Sequence, residues 1–245
     1  MKIIYTLILV SLFNFTFGQS KFKDQIKTKK KYTKEVVDEV YGITMYEPFN
    51  MILSGDSVRM EGGYAAQNWQ EDHYESGQLL HKGYYIDGQL KVYKNYYPDG
   101  TLERTFVNID GYRSKVSIYY PDGKIKSEVQ YDETNPKVWT DYYANGNMEY
   151  YEEYHKSMLY HIAKRSYFES GKPSSLLEMT NKKKLEYSQN DFYKTGTKKV
   201  VGTLKYDKDQ YDYYKTGKWY FFNEAGAPTK DEEYDDGKVV KTKTY

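Results

Sequence analysis

The chain has 245 residues, enough for one or two compact domains or a single repeat array. Its 36 basic and 35 acidic residues leave a net charge of +1, so it lacks the global basic excess that phosphate-backbone binding requires. With no cysteine it can form no disulfide, zinc ribbon, iron–sulfur site or thiol nucleophile, and its 31 tyrosines make it too aromatic for a disordered polymer.

The first element is apolar. Residues 1–20 read "MKIIYTLILVSLFNFTFGQS": one lysine, an apolar run from Ile3 to Phe17, then the small residue Gly18. This is the plan of a secretory signal peptide cleaved near Gly18–Gln19, and the run is shorter than the ~20 residues of a spanning helix. Residues 1–19 are therefore assigned as a signal peptide, and the mature chain is expected outside the cytoplasm with no transmembrane segment. Residues 20–40 carry seven lysines between Lys21 and Lys34 and read as a solvated linker. Residues 41–66 alternate apolar and polar positions around turn signals such as Ser54-Gly55-Asp56 and are predicted to form capping strands.

From residue 67 to 245 the sequence repeats. Glycine recurs every 23 residues at Gly77, Gly100, Gly123 and Gly146, and looser copies continue at Gly171, Gly196, Gly217 and Gly226. An aromatic pair precedes most of these turns: Tyr96-Tyr97, Tyr119-Tyr120, Tyr142-Tyr143, Tyr167-Phe168, Phe192-Tyr193 and Tyr213-Tyr214. An apolar residue follows two positions after the glycine in the regular copies, at Leu79, Leu102, Ile125 and Met148. In "YPDG", proline sets the first central turn position, aspartate suits the second, and glycine takes the left-handed conformation that starts the returning strand. Each unit is thus predicted to be one hairpin plus one connecting turn. The predicted fold is all-β: an elongated, single-layer antiparallel meander of hairpin repeats.

The pattern "YYxxGxLxxxxxYxxG", most regular in "GYAAQNWQEDHYESGQLLHKGYYIDGQLKVYKNYYPDGTLER", resembles the MORN-repeat variant. Proteins with this repeat are often grouped with the YwqK-type antitoxin family. The resemblance covers about 63–237, and its motif residues are turn glycines and packing aromatics. The later copies depart from it: Pro173 and Pro228 occupy the apolar slot after the turn, and "KYDKDQYDYYKTG" changes the spacing between about 155 and 215.

Neighbouring residues of a strand face opposite ways, so each aromatic pair places one ring on each face of the sheet. Tyrosine is expected to cover the sheet with its ring while leaving its hydroxyl in water. The same rings also offer a recognition surface, and the candidate binding residues are Tyr97, Tyr120, Tyr143, Trp139 and Trp219. The histidines His73, His81, His155 and His161 are too scattered for a metal site. The acidic groups Asp207, Asp209 and Asp212 and the run Asp231–Asp236 miss the spacing of a calcium loop. No metal, cofactor or catalytic residue is expected; a meander sheet offers no obvious cleft for the carboxylate pair of a glycosidase.

The sequence is read as an exported, non-enzymatic interaction scaffold or binding module. A protein partner is expected, and nucleic acid is not. The alternatives are an antitoxin or immunity protein, which the resemblance implies, and a binder of envelope glycan.

Overall fold

The structure is a computed structural model that describes residues 37–38, 42–43, 59–110, 113–133 and 135–245. The segment expected to be a signal peptide, and most of the expected linker and capping segment, lie outside the described residues. Two short strand pairs come first: β1 (Val37–Asp38) with β2 (Gly42–Ile43), and β3 (Met60–Glu61) with β4 (Tyr64–Ala65). Fifteen further strands follow in chain order. They are β5 (Asn68–His73), β6 (Leu79–Ile86), β7 (Gln89–Tyr96), β8 (Leu102–Asn108), β9 (Arg113–Tyr119), β10 (Ile125–Asp132), β11 (Asn135–Tyr142) and β12 (Met148–Tyr154). The series continues with β13 (His161–Tyr167), β14 (Pro173–Asn181), β15 (Glu186–Phe192), β16 (Lys198–Asp207), β17 (Asp212–Phe222), β18 (Pro228–Asp235) and β19 (Lys238–Thr244). Each strand pairs antiparallel with its sequence neighbours, forming one open sheet with β5 and β19 at its edges. There is no helix among the described residues. Fourteen spacings of ~4.8 Å give a surface roughly 67 Å across before twist.

The tight turns share one geometry, and it follows from their residues. At Tyr97–Thr101 the Gly100 N–H donates to the Tyr97 carbonyl at 2.8 Å, and the Tyr97 N–H donates to the Thr101 carbonyl at 2.8 Å. The same bond pair closes the turns that begin at Tyr74, Tyr120, Tyr143, Phe168, Tyr193 and Asn223. This is a type I turn followed by a left-handed residue. Gly77, Gly100, Gly123, Gly146, Gly171, Gly196 and Gly226 supply that residue, with φ between 83° and 94°. Asp99 accepts the Thr101 N–H at 2.8 Å, which preorganises the turn. Pro173 and Pro228 each open a strand, where a missing N–H is tolerated.

Gly217 departs from expectation. It lies within β17 rather than at a hairpin tip, with φ of 63°. The register there jumps from Val201↔Tyr220 to Thr203↔Thr216, so Gly217 to Trp219 bulge opposite Gly202. The cause is Trp219, whose ring lies where a Cβ on Gly202 would stand, 2.1 Å from the ideal Cβ position.

Each tight hairpin also carries a bulge that the periodicity did not reveal. Tyr96 pairs with Leu102 and Asn95 with Arg104, which leaves Glu103 as the extra residue. The equivalent extra residues are Leu80, Lys126, Glu149, Ser174, Lys199 and Thr229, each three positions after its turn glycine. A bulge of this kind increases local twist, and its recurrence in every copy gives the array a steady coil.

Among the described residues, two apolar clusters anchor the sheet. Ala66, Tyr85, Leu90, Tyr93, Phe106 and Val116 form the first, and Tyr160, Leu177, Leu185, Tyr187 and Tyr206 form the second. Residues 59–66 dock on the first cluster: the Arg59 N–H donates to the Gly88 carbonyl at 2.6 Å and the Gly88 N–H to the Ala66 carbonyl at 2.9 Å. Arg59 pairs with buried Asp72 at 2.5 Å, so its charge is matched.

Candidate ligand groove and the tyrosine staples

The turn tyrosines serve the array from within. The Tyr74 hydroxyl donates to the Tyr96 carbonyl at 2.8 Å, Tyr97 to Tyr119 at 3.2 Å and Tyr120 to Tyr142 at 2.7 Å. Tyr143 donates to the Tyr167 carbonyl at 2.8 Å and Tyr193 to the Phe222 carbonyl at 2.9 Å. In every case the acceptor lies at or next to the start of the following tight turn, so each hydroxyl staples one hairpin tip to the next. These hydroxyls were expected in water. They are bonded to backbone instead, because turn carbonyls left over from the ladder need donors. Position 168 is phenylalanine, and the rung there is missing. Bulge lysines add cover: Lys126 Nζ stands 5.8 Å from the Tyr120 ring centre and Lys199 Nζ 5.7 Å from that of Tyr193.

The candidate binding residues therefore separate. Tyr97, Tyr120 and Tyr143 are half-buried and spend their hydroxyls on the staples. Trp219 is 2 % exposed, and its Nε1–H donates to the Thr203 carbonyl at 3.2 Å, so its ring packs inside the fold rather than facing a partner. Trp139 is half-buried and donates its Nε1–H to Asp141 at 2.7 Å.

The polar residues converge elsewhere. Directly paired residues share a face, so register defines rows across the sheet. One row runs Asp141, Tyr150, Ser166, Ser175 and Asp191, and the next runs Trp139, Glu152, Lys164, Leu177, Gln189 and Gly202. Tyr154 and His161 pair at the head of β13.

His161 is the hub of this face. Its Nδ1 stands 3.1 Å from the Tyr213 hydroxyl, its backbone N–H donates to the same oxygen at 3.2 Å, and its Nε2 faces Glu152 at 3.5 Å. Tyr187 donates to the His161 carbonyl at 2.9 Å and Tyr206 to the Leu159 carbonyl at 2.5 Å. The Tyr154 ring lies 4.2 Å from the imidazole, centre to centre. β13 and β17 are four strands apart, ~19 Å in a flat sheet. Contact between His161 and Tyr213 therefore requires the sheet to curl toward this face.

The curl makes a groove of about 270 Å³ lined by His161, Lys164, Ser166, Ser175, Leu177, Gln189 and Tyr213. A flat face without a cleft was expected, and the recurring bulges account for the difference. Side-chain bonds fix the lining. Ser175 donates to Asp191 at 2.8 Å, and Gln189 donates to both Ser175 and Asp191 at 2.8 and 2.5 Å. Tyr150 donates to Glu152 at 2.5 Å. The His161 imidazole beside it, helped by the hydrogen bond from Tyr150 and by the charge of Lys164, holds the Glu152 carboxyl below its ordinary range. Burial pushes the Tyr150 and Tyr213 phenols up, so both stay protonated donors near neutral pH. Among the described residues no group of three or more His, Asp or Glu is placed to hold a metal ion.

Sequence periodicity missed this hub. Its signal was the break in spacing: from copy to copy the turn residue advances by 23 positions as far as Tyr143, then by 25 to Phe168 and to Tyr193, and by 30 to Asn223. The added residues bring Tyr160, Tyr206 and Tyr213 onto one cluster.

Residues 115–133 match the MORN repeat variant. The match spans most of β9, the Tyr120–Gly123 turn, the Lys126 bulge and β10, and so one complete stapled hairpin. No curated protein matches the chain.

Proposed function

We propose that this MORN-repeat chain is an exported, non-enzymatic binding module whose recognition surface is the groove around His161. The observation that carries the reading is the division of labour among polar side chains. The turn tyrosines are consumed in staples, whereas Lys164, Ser166, Ser175, Gln189 and Tyr213 converge in the groove. A curled sheet with fixed side chains presents such groups at little ordering cost, which favours binding. Export rests on the apolar leader at residues 3–17. In the envelope the module scaffolds a partner against this face, and a toxin enzyme is one protein partner such a face would serve.

A photo-crosslinking residue at position 164, compared with one at Tyr220 on the opposite face, tests the reading in the native envelope. A defined adduct at 164 and none at 220 is expected. Equal capture from both faces, or none from the groove, would contradict it. N-terminal sequencing of the native protein should begin near Gln19, and a sequence starting at Met1 would remove the export claim.

A further inference from the structure

We infer that the groove is a subsite for one neutral sugar residue of a glycan. The inference rests on the groove being the recognition surface proposed above, and it names the ligand class.

Charge decides first. Lys164 lines the groove and makes no ion pair among the described residues, which at first sight suits an anion. However, Glu152 stands directly opposite it on β12, and Asp191 directly opposite Ser175 on β15. Glu152 is held in its ionised form by His161 and Tyr150. An anionic ligand would sit beside two carboxylates as well as one ammonium, and a cation would sit beside that ammonium. A neutral ligand escapes both penalties.

Lining chemistry decides next. Ser166, Ser175, Gln189 and Tyr213 supply hydroxyl, amide and phenol groups, and Lys164 adds a charged donor. Such a set pairs with a ligand that both donates and accepts at several points of its edge, as a polyol does. Leu177 is buried between Lys164 and Gln189 and provides an apolar floor for the C–H face of a ring. The Tyr213 ring forms one wall, and Tyr150 stands opposite Ser166 at the neighbouring strand. Aromatic walls with polar tips suit pyranose rings, whose faces are apolar and whose edges are wet.

Size and position complete the assignment. A volume of about 270 Å³ lies just under the ~300 Å³ at which pockets accept drug-sized ligands, so one ring fits and a chain must continue outside. An extended peptide is disfavoured here, because peptides add at strand edges whereas this groove lies on the face of interior strands.

Saturation-transfer NMR on the full mature chain tests the inference with four probes: methyl β-glucoside, N-acetylglucosamine, gluconate and glucosamine. Transfer to one or both neutral probes, with little to the charged pair, is expected. Ser166→Ala and Gln189→Ala should each weaken the neutral probe by about tenfold, as loss of one or two buried hydrogen bonds does. Tyr220→Ala, on the opposite face, should leave it unchanged. Stronger binding of gluconate or glucosamine would overturn the neutral-sugar assignment, and so would absence of transfer to any probe from chain with an intact β-sheet spectrum. Crosslinking from position 164 would still succeed in either case if the groove serves a different partner, so the two readings fail separately.

Discussion

The Tyr120 hydroxyl donates to the carbonyl of Tyr142 at 2.7 Å, joining two hairpin tips 22 residues apart. Removing it leaves a part-buried carbonyl without its donor and keeps the ring. Tyr120→Phe should therefore destabilise the chain by about 0.5–1.5 kcal/mol, the ordinary worth of one hydrogen bond. The reverse change, Phe168→Tyr, should restore the missing rung and raise the melting temperature. Urea titration of both variants checks the pair, and identical midpoints for Tyr120→Phe and wild type would deny the staple its role.

Gly123 has φ of 83° and open space around its missing side chain. Gly123→Val therefore probes backbone strain without a clash. A loss on the order of 1–3 kcal/mol is expected, whereas Lys94→Thr, on an exposed strand position, should change little. Equal thermal midpoints would mean the turn does not require a left-handed residue.

The fold was legible because turn chemistry is local. The "YYPDG" stretches at Tyr96–Gly100 and Tyr119–Gly123 contain the end of the incoming strand, the turn and the glycine that closes it. The groove was not legible, because it depends on accumulated curl. Nothing near His161 in sequence announces Tyr213, which reaches it from 52 residues away. Gly217 shows the limit of motif reading: "KTG" closes a turn at Gly196, but at Gly217 the same triplet becomes a bulge under Trp219.

The Trp219 ring occupies the space that a side chain on Gly202 would need. Gly202→Ala places a Cβ 2.1 Å from the Trp219 ring and should cost about 1–3 kcal/mol through overpacking. The double variant Gly202→Ala, Trp219→Leu should show strong coupling, with the alanine far less costly once the ring is gone. Near-ultraviolet circular dichroism and thermal melts would report both, and simple additivity would contradict the contact.

Glu103, the bulge residue of its hairpin, is buried beside Arg104 at 3.1 Å. Burial pushes its carboxyl up to about 7, with Arg104 pulling only partly back. Between about 4.5 and 7 the folded chain holds a proton that the unfolded chain has released, so this group's contribution to stability falls as pH rises. Glu103→Gln should flatten that decline by up to about 3 kcal/mol, and parallel stability–pH curves would refute the burial argument.

Staple and groove variants, compared side by side, separate structure from recognition. The triple variant Tyr97→Phe, Tyr120→Phe, Tyr143→Phe should melt earlier yet still form the envelope adduct from position 164. Gln189→Ala should melt no earlier than the triple variant and lose that adduct. Loss of the adduct in the triple variant at an unchanged melting temperature, with Gln189→Ala capturing normally, would place recognition on the tyrosine ladder and contradict the account.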